Sequence, residues 1–368
     1  MRNRDRFRGC LIGGAAGDAL GYAVEFMSEE MIFSRYGERG ITEYKLRDGA
    51  AWISDDTQMT LFTATGLLTA TVQGIMSGEM GRYADSVYES YLDWLKTQEN
   101  FGPTPFGRHG SWLANLKAFY IQRAPGNTCM EALFSGRRGT VEKPLNNSKG
   151  CGGVMRVAPV GLYFNDQEMR ADEIARIGAE TAAITHGHIL GWMPAAALAQ
   201  IIHEVSQNDE KLRDAVLHAL RTADEMWRDT EEKRYFRALI EKAVDLAAAE
   251  EKDIDAIHQL GEGWVAEETL AIAVYCALKY EHDFDRALIA AVNHRGDSDS
   301  TGAVTGNILG AKLGLGGIPE KYLENLELKD LILGIADDLW QGFRMSGEDP
   351  ERRDPVWSQK YIEMSYRP

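Results

Sequence analysis

Two short stretches of the chain are dense in oxygen donors. Ser54-Asp55-Asp56-Thr57 and Gly296-Asp297-Ser298-Asp299-Ser300-Thr301 each stand directly before an apolar, Gly/Ala-rich segment. Ser54, Asp55 and Asp56 offer only oxygen, and so do Asp297, Asp299 and Ser300. Oxygen-only shells suit Mg2+, Mn2+ or Ca2+ and disfavour zinc or copper. Asp-x-Asp-Ser on one loop can aim alternate side chains at a single point. Brought close, these carboxylates repel strongly unless cations lie between them. The expectation is that the two stretches meet in space and hold a pair of hard cations. Ser and Asp are also the preferred residues before a helix, so either stretch alone reads as a cap. Both are richer in acid than a cap requires, which favours the metal. The spacing is not that of an EF-hand, which ends in Glu.

Other stretches carry weaker signals. Gly13, Gly17 and Gly21 recur every fourth residue, so one helical stripe is bare enough for another backbone to come close. A dinucleotide-binding glycine loop is a poor fit there, because no β-branched strand precedes it. Gly14, Asp18, Gly21 and Glu25 share a neighbouring stripe, so two acids point inward or into a cleft. Asp18 can equally cap a neighbouring helix, and Glu25 can pair with an arginine. Ser148-Lys149-Gly150-Cys151-Gly152-Gly153 holds three glycines in four residues, from Gly150 to Gly153, which lets backbone N–H groups converge on an anion. Lys149 and Arg156 add charge there. A plain turn is the alternative. Nothing near Cys151 looks like a base for a thiol nucleophile. His186 and His188 do not share a helix face and make a poor zinc motif. One is read as a donor to a ligand and the other as structural.

The elements that must position these residues read as helices. Helical spacing dominates from Gly9 onward, alternating β-type runs are scarce, and no fixed repeat is visible. The expected fold is all-α with long irregular loops. Residues 28–53 read as loop, Gln58–Val72 as helix, Asn100–Gly110 and Gly136–Ser148 as irregular. Pro125–Thr128 reads as a turn with Thr128 as N-cap. Tyr83, Tyr88, Tyr91, Trp94, Trp112 and Tyr120 read as core. Residues 209–252 read as solvated helices, and Glu262–Tyr280 as an apolar helix. Residues 1–345 are taken as the domain and 346–368 as a polar surface tail.

The chain has 368 residues and a formal net charge of −16, which argues against nucleic acid as a partner. Four cysteines form no CxxC pair, so a reducing compartment is expected and a structural zinc is not. The basic start is followed by a short, Gly-broken apolar run rather than a secretory signal. Ile189–Ile202 is too short to span a bilayer. The expected location is the cytoplasm, without a membrane partner.

Taken together, these stretches resemble the ADP-ribosylglycohydrolase family. The resemblance runs from Gly9 to about Gly317. It is carried in order by Gly13–Glu25, Ser54-Asp55-Asp56-Thr57, Gly150–Pro159, Thr185-His186 and Gly296-Asp297-Ser298-Asp299-Ser300. It implies an all-α fold around a binuclear Mg2+ or Mn2+ cleft. It implies Ser54, Asp55, Asp56, Asp297, Asp299 and Ser300 as metal ligands. Glu25 matches an acid near the ribose, and Glu25, Asp55 and Asp297 are the catalytic candidates. Ser148, Lys149, Gly150, Cys151, Gly152 and Gly153 match a segment that wraps the ADP-ribose diphosphate, and His186 a histidine near it. Cys151 stands where several relatives have Asn, and Lys149 where some place an aromatic. The implied reaction is attack of a metal-activated water at the ribose anomeric carbon of an ADP-ribosylated protein, releasing ADP-ribose. Arginine is the favoured modified side chain. Serine-type or other conjugates, a non-catalytic ADP-ribose binder, and a phosphate-ester hydrolase using the same metals are the alternatives.

Overall fold

The computed structural model describes residues 2–99, 102, 110–165, 169–342 and 354–367. Sixteen α-helices occur among them. In chain order they are α1 Arg4–Gly21, α2 Glu29–Tyr36, α3 Asp55–Ser77, α4 Tyr83–Glu99, α5 Asn127–Phe134, α6 Ala158–Tyr163, α7 Ala171–Ala183 and α8 Ile189–Gln207. There follow α9 Leu212–Met226, α10 Glu231–Ala247, α11 Asp253–Leu260, α12 Ala266–Lys279, α13 Phe284–Val292, α14 Ser298–Leu313, α15 Lys329–Gln341 and α16 Pro355–Tyr361. Extended pairing among the described residues is confined to isolated bridges, such as Gly150 with Val265. The all-α expectation holds.

The centre of the fold is α1 against α14. Two glycine stripes mesh there, Gly9, Gly13, Gly17 and Gly21 facing Gly310, Gly306, Gly302 and Ser298. A methyl placed on Gly17 would lie 1.9 Å from the carbonyl oxygen of Gly302, and one on Gly306 would lie 1.9 Å from that of Gly13. Any side chain at these positions collides with backbone, which cannot yield as a flexible side chain can. The close approach also admits Cα–H···O contacts along the seam. The bare stripe read from the sequence is therefore a helix–helix contact. Around it, α3 packs on α4, α8 on α7 and α9, and α12 on α10 and α14. α15 is clamped to α1 through Asp337, whose carboxylate accepts paired bonds from the guanidinium groups of Arg4 (2.8 and 2.6 Å) and Arg8 (2.7 and 2.6 Å).

Some local expectations are corrected. The stretch 28–53 contains α2. Ser28 caps it by accepting from Met31 N at 3.3 Å, and Glu29 and Glu30 complement the positive end of the helix dipole. Only Ile32 of that helix is buried, so no apolar period betrays it. Gly126, not Thr128, is the N-cap of α5, and the Thr128 hydroxyl lies 3.1 Å from that of Ser148. Most of Asn100–Gly110 lies outside the described residues, as does 346–353. In the segment expected as a surface tail, α16 buries Trp357 and Tyr361 against the core. Two large aromatics outweigh the polar residues around them. Among the described residues α3 alone is long and apolar enough to cross a membrane, and it is mostly buried within the fold.

Gly17→Ala should lower the unfolding free energy by about 2–3 kcal/mol, the scale of forced overpacking. Gly334→Ala, inside α15 with nothing within 4 Å of the added methyl, should raise it by about 0.5–1 kcal/mol. Urea denaturation of both variants reads the opposite signs. The two arginines hold the Asp337 carboxyl down to about 2 against the opposing effect of its burial. A depressed carboxyl contributes stability that is present above its unfolded value of 3.8 and is lost as pH falls through about 2. The Tm difference between wild type and Asp337→Asn should therefore be full at pH 5 and vanish toward pH 2.

Candidate active site

Each oxygen-rich stretch proves to be a helix N-terminus. Ser54 is the N-cap of α3, its hydroxyl accepting from Asp56 N at 3.2 Å. Asp297 is the N-cap of α14, its Oδ1 accepting from Ser300 N at 3.1 Å, while Asp299 Oδ1 accepts from the same N–H at 3.0 Å. Capping and site-building are thus one arrangement. The cap fixes the turn, and the turn aims the remaining oxygens.

Asp18 joins the two helix starts. It is fully buried on the face of α1 beside the glycine stripe. Its carboxylate accepts from Ser54 N (2.9 and 3.1 Å), from Thr57 N (3.1 Å) and from the Thr57 hydroxyl. The capping alternative read from the sequence is the one realised. Burial pushes the Asp18 carboxyl up to about 6, and the bonds from Thr57 and Ser54 pull the other way. On the other side of the turn, Gly126 N donates to Asp55 Oδ2 at 3.1 Å and Asp55 N to Arg123 O at 3.0 Å. Arg123 in turn pairs with Glu327 at 2.9 Å and lies 3.6 Å over the Trp52 ring.

The acids converge from α1's C-terminal side, α3 and α14. Glu25, Asp55, Asp56, Asp297 and Asp299 are all nearly inaccessible to water. Burial, then Asp297 and Asp55, push the Glu25 carboxyl up to about 9. Burial, opposed first by the Gly126 N–H, pushes Asp55 up to about 8, with Asp18 and Asp297 adding to the rise. Asp56 and Asp299 are raised by burial and then by the surrounding acids. Glu25 Oε2 and Asp56 Oδ2 are buried without a hydrogen-bond partner. Orphaned buried oxygens of this kind call for a proton, a water or a cation. Among the described residues no three His, Cys, Asp or Glu side chains form a preformed metal shell. The oxygen-only chemistry of the cluster and its two orphan oxygens nevertheless fit hard divalent cations.

The glycine loop forms a second wall. Cys151 N donates to Trp264 O at 3.2 Å and Ala266 N to Lys149 O at 2.9 Å, lacing the loop to the start of α12. The Cys151 thiol faces Asp297, Asp56 and Ser300, and burial and those acids hold its pKa well above the ordinary value. It is a protonated thiol, not a nucleophile. His186 lies against Gly150 and Gly152; a methyl on Gly152 would sit 2.9 Å from its Cε1. Burial and the Arg156 charge drive the imidazole down to about 3, so it is neutral. The Thr185 hydroxyl accepts from Arg156 Nη2 at 2.8 Å and lies 2.8 Å from His186 Nδ1. It can therefore donate to Nδ1, which assigns the ring proton to Nε2 on the loop side.

Several expectations shift. Arg156 does not reach the loop as a phosphate ligand. It is fully buried, bonded to Thr185 and Thr181, and stacked 4.3 Å over Tyr91. The Lys149 ammonium is engaged by Glu267. His188 is the structural histidine, capping α8 by accepting from Leu190 N at 3.0 Å. Sequence reasoning missed Thr57, Gly126, Arg123, Glu267 and Thr301, the last bonding Asp297 O, Ala291 O and His294. Of these, Thr57 and Thr301 carried a local signal, each closing one of the two acidic stretches. Phe26 and Trp264, both exposed, stack at 6.0 Å beside the cluster.

Buried carboxyls gathered at the starts of α3 and α14 beside a glycine loop define a class: an all-α fold with an oxygen-donor site. The ADP-ribosylglycohydrolase family profile matches residues 1–349, and the chain belongs to that family. It is a glycohydrolase acting on ADP-ribose conjugates. The chain is 22% identical over 366 residues to ADP-ribosylhydrolase ARH3 of Bos taurus, covering 94% of this chain and 95% of that one. It is 25% identical over 344 residues to ADP-ribosylarginine hydrolase Tri1 of Pseudomonas putida, covering 91% and 78%. A solved structure described as an ADP-ribosylglycohydrolase-related protein complex aligns with a TM-score of 0.61 and 23% identity, over 92% of this chain and 98% of that one, which supports the fold.

Asp18→Asn presents an amide to the Ser54 and Thr57 donors. It should cost about 2–4 kcal/mol of stability from the unmet donors and lower kcat at least tenfold by loosening the Asp55–Asp56 turn. Thermal unfolding and steady-state kinetics measure both.

Proposed function

We propose that the chain removes ADP-ribose from modified arginine with the help of two divalent cations, Mg2+ or Mn2+. The observation that carries this reading is the pair of orphaned, buried oxygens on Glu25 and Asp56 within an oxygen-only cluster. Ser54, Asp55, Asp56, Asp297, Asp299 and Ser300 are the proposed ligands. Bound there, the ions supply positive charge that acidifies a water and orients the ribose hydroxyls. The similarity to a hydrolase named for ADP-ribosylarginine supports arginine as the acceptor. The cytoplasm is the proposed location, in keeping with four free cysteines.

The chain's own residues divide the remaining work. Asp18 holds the Ser54–Thr57 turn. Glu25, with one oxygen unpartnered, is the candidate to take or give a proton at the anomeric centre. Asp55 and Asp297 are the other catalytic candidates. Of the Ser148–Gly153 loop, the N–H groups of Ser148, Gly150 and Cys151 are bonded to Asn146, Ser148 and Trp264, so Gly152 and Gly153 are the proposed backbone donors to the diphosphate, and the neutral His186 adds an Nε2–H donor. Lys149 and Cys151 contribute main chain to that wall.

Release of ADP-ribose from arginine- and serine-modified peptides should be compared with Mg2+, Mn2+ and chelator. We expect turnover on the arginine peptide, abolished by chelator. Asp297→Ala and Asp299→Ala should each lower it by at least a thousandfold, on the scale of about 4 kcal/mol of lost transition-state stabilisation. Full rate in either variant removes the metal assignment. Turnover on the serine peptide alone transfers the reading to O-linked conjugates.

A further inference from the structure

We propose that Glu267 is a positioning residue, fixing the direction of the loop's backbone donors through its ion pair with Lys149. The inference rests on the reading of Ser148–Gly153 as the diphosphate-binding wall.

The loop holds itself through few bonds, Gly150 N to Ser148 Oγ at 3.4 Å and Val154 N to Cys151 O at 2.9 Å. Gly150, Gly152 and Gly153 carry no side chains, and fixing glycine backbone is entropically expensive. Much of its rigidity must come from its neighbours. Lys149 is the one loop residue held at both main chain and side chain by α12. Its carbonyl accepts from Ala266 N at 2.9 Å, and its ammonium bonds Glu267, the next residue of that helix. The Gly150–Val265 bridge and the bond from Cys151 N to Trp264 O extend the same seam.

Glu267 is an unusual partner for a half-exposed lysine. Its side chain is 0% exposed while that of Lys149 is 40% exposed. Pairs at a surface contribute little because both ends are free and screened. Here one end is immobile and dry, and Glu267 Oε2 has no other partner. A buried carboxylate held by one ammonium is costly to leave alone, so the pair stays closed. The first turn of α12 adds the positive end of its dipole. With Gly150 N turned to Ser148 Oγ and Cys151 N to Trp264 O, the seam sets where the adjoining Gly152 and Gly153 direct their N–H groups, without Glu267 meeting the ligand.

The test is a double-mutant cycle on Glu267→Gln, Lys149→Met and the pair, read by calorimetric binding of ADP-ribose and by peptide turnover. For Glu267→Gln we expect Kd and KM to rise about tenfold while kcat stays within twofold. Glu267→Asp, which keeps the charge, should recover part of the affinity. The double variant should bind about as weakly as either single one, because each breaks the same contact. Single effects that multiply, an unchanged Kd in Glu267→Gln, or a fall in kcat with no change in KM would overturn the proposal. A Tm within a few degrees of wild type shows that the fold is intact. Should a variant unfold, the Glu267→Asp arm carries the test alone. Wild-type protein that binds ADP-ribose but releases none from any peptide would refute the hydrolytic reading and leave this one standing. Wild-type protein that does not bind ADP-ribose refutes both.

Discussion

The structure depends on α1 and α14 touching at backbone distance. Gly9, Gly13 and Gly17 meet Gly310, Gly306 and Gly302 across a seam too narrow for a methyl group. Glycine inside a helix is unfavourable for chain entropy, so this many in one contact must be offset by what the contact achieves. It sets Gly21 against Ser298 O at the start of α14. Glu25 is thereby delivered beside Asp297 and Asp299, and Asp18 against the start of α3. A leucine-packed pair, with axes several ångströms further apart, would leave the two acid sets out of reach.

Two kinds of buried acid sit side by side here, and their hydrogen bonds tell them apart. Asp18 is saturated by donors from Ser54 and Thr57. Such a carboxylate is an architectural anion, offering nothing further to a ligand. Glu25 and Asp56 each keep an oxygen that nothing in the protein satisfies. Folding around unmet acids sacrifices stability, since desolvation and mutual repulsion both act against the charged forms. Sites that do chemistry are where such a sacrifice is expected.

Much of this was legible in the sequence, for identifiable reasons. The Gly13–Gly17–Gly21 stripe and the two acidic turns are local patterns with a direct physical meaning. Fold class followed from the helical spacing of the apolar residues. What stayed illegible was partnership. Arg156 and Lys149 both looked like anion ligands because charge is visible in a sequence. Their engagement by Thr185 and Glu267 is set by residues distant in the chain. Asp18 kept two readings until the α3 N–H groups were seen to point at it. α2 escaped because one buried residue, Ile32, makes no period, and α16 because two aromatics were outnumbered by polar neighbours.

An ADP-ribose conjugate poses an electrostatic problem for this chain. The protein carries −16 and lines its site with carboxyls, yet the ligand brings a diphosphate. The basic side chains nearest the loop do not solve it, because Arg156 lies beneath it in a sealed environment and Lys149 faces Glu267. On the function proposed above, two sources of positive potential remain: backbone N–H groups, which carry partial charge without adding a titratable group, and cations that the acids would hold. The proposed amide wall and the acid cluster would then be complementary requirements. Acids without cations would repel the diphosphate, and cations without aligned amides would leave it free to slide off the anomeric centre. Rigid amides matter more than numerous ones, since a donor that must first be ordered on binding gives back much of its interaction as lost entropy.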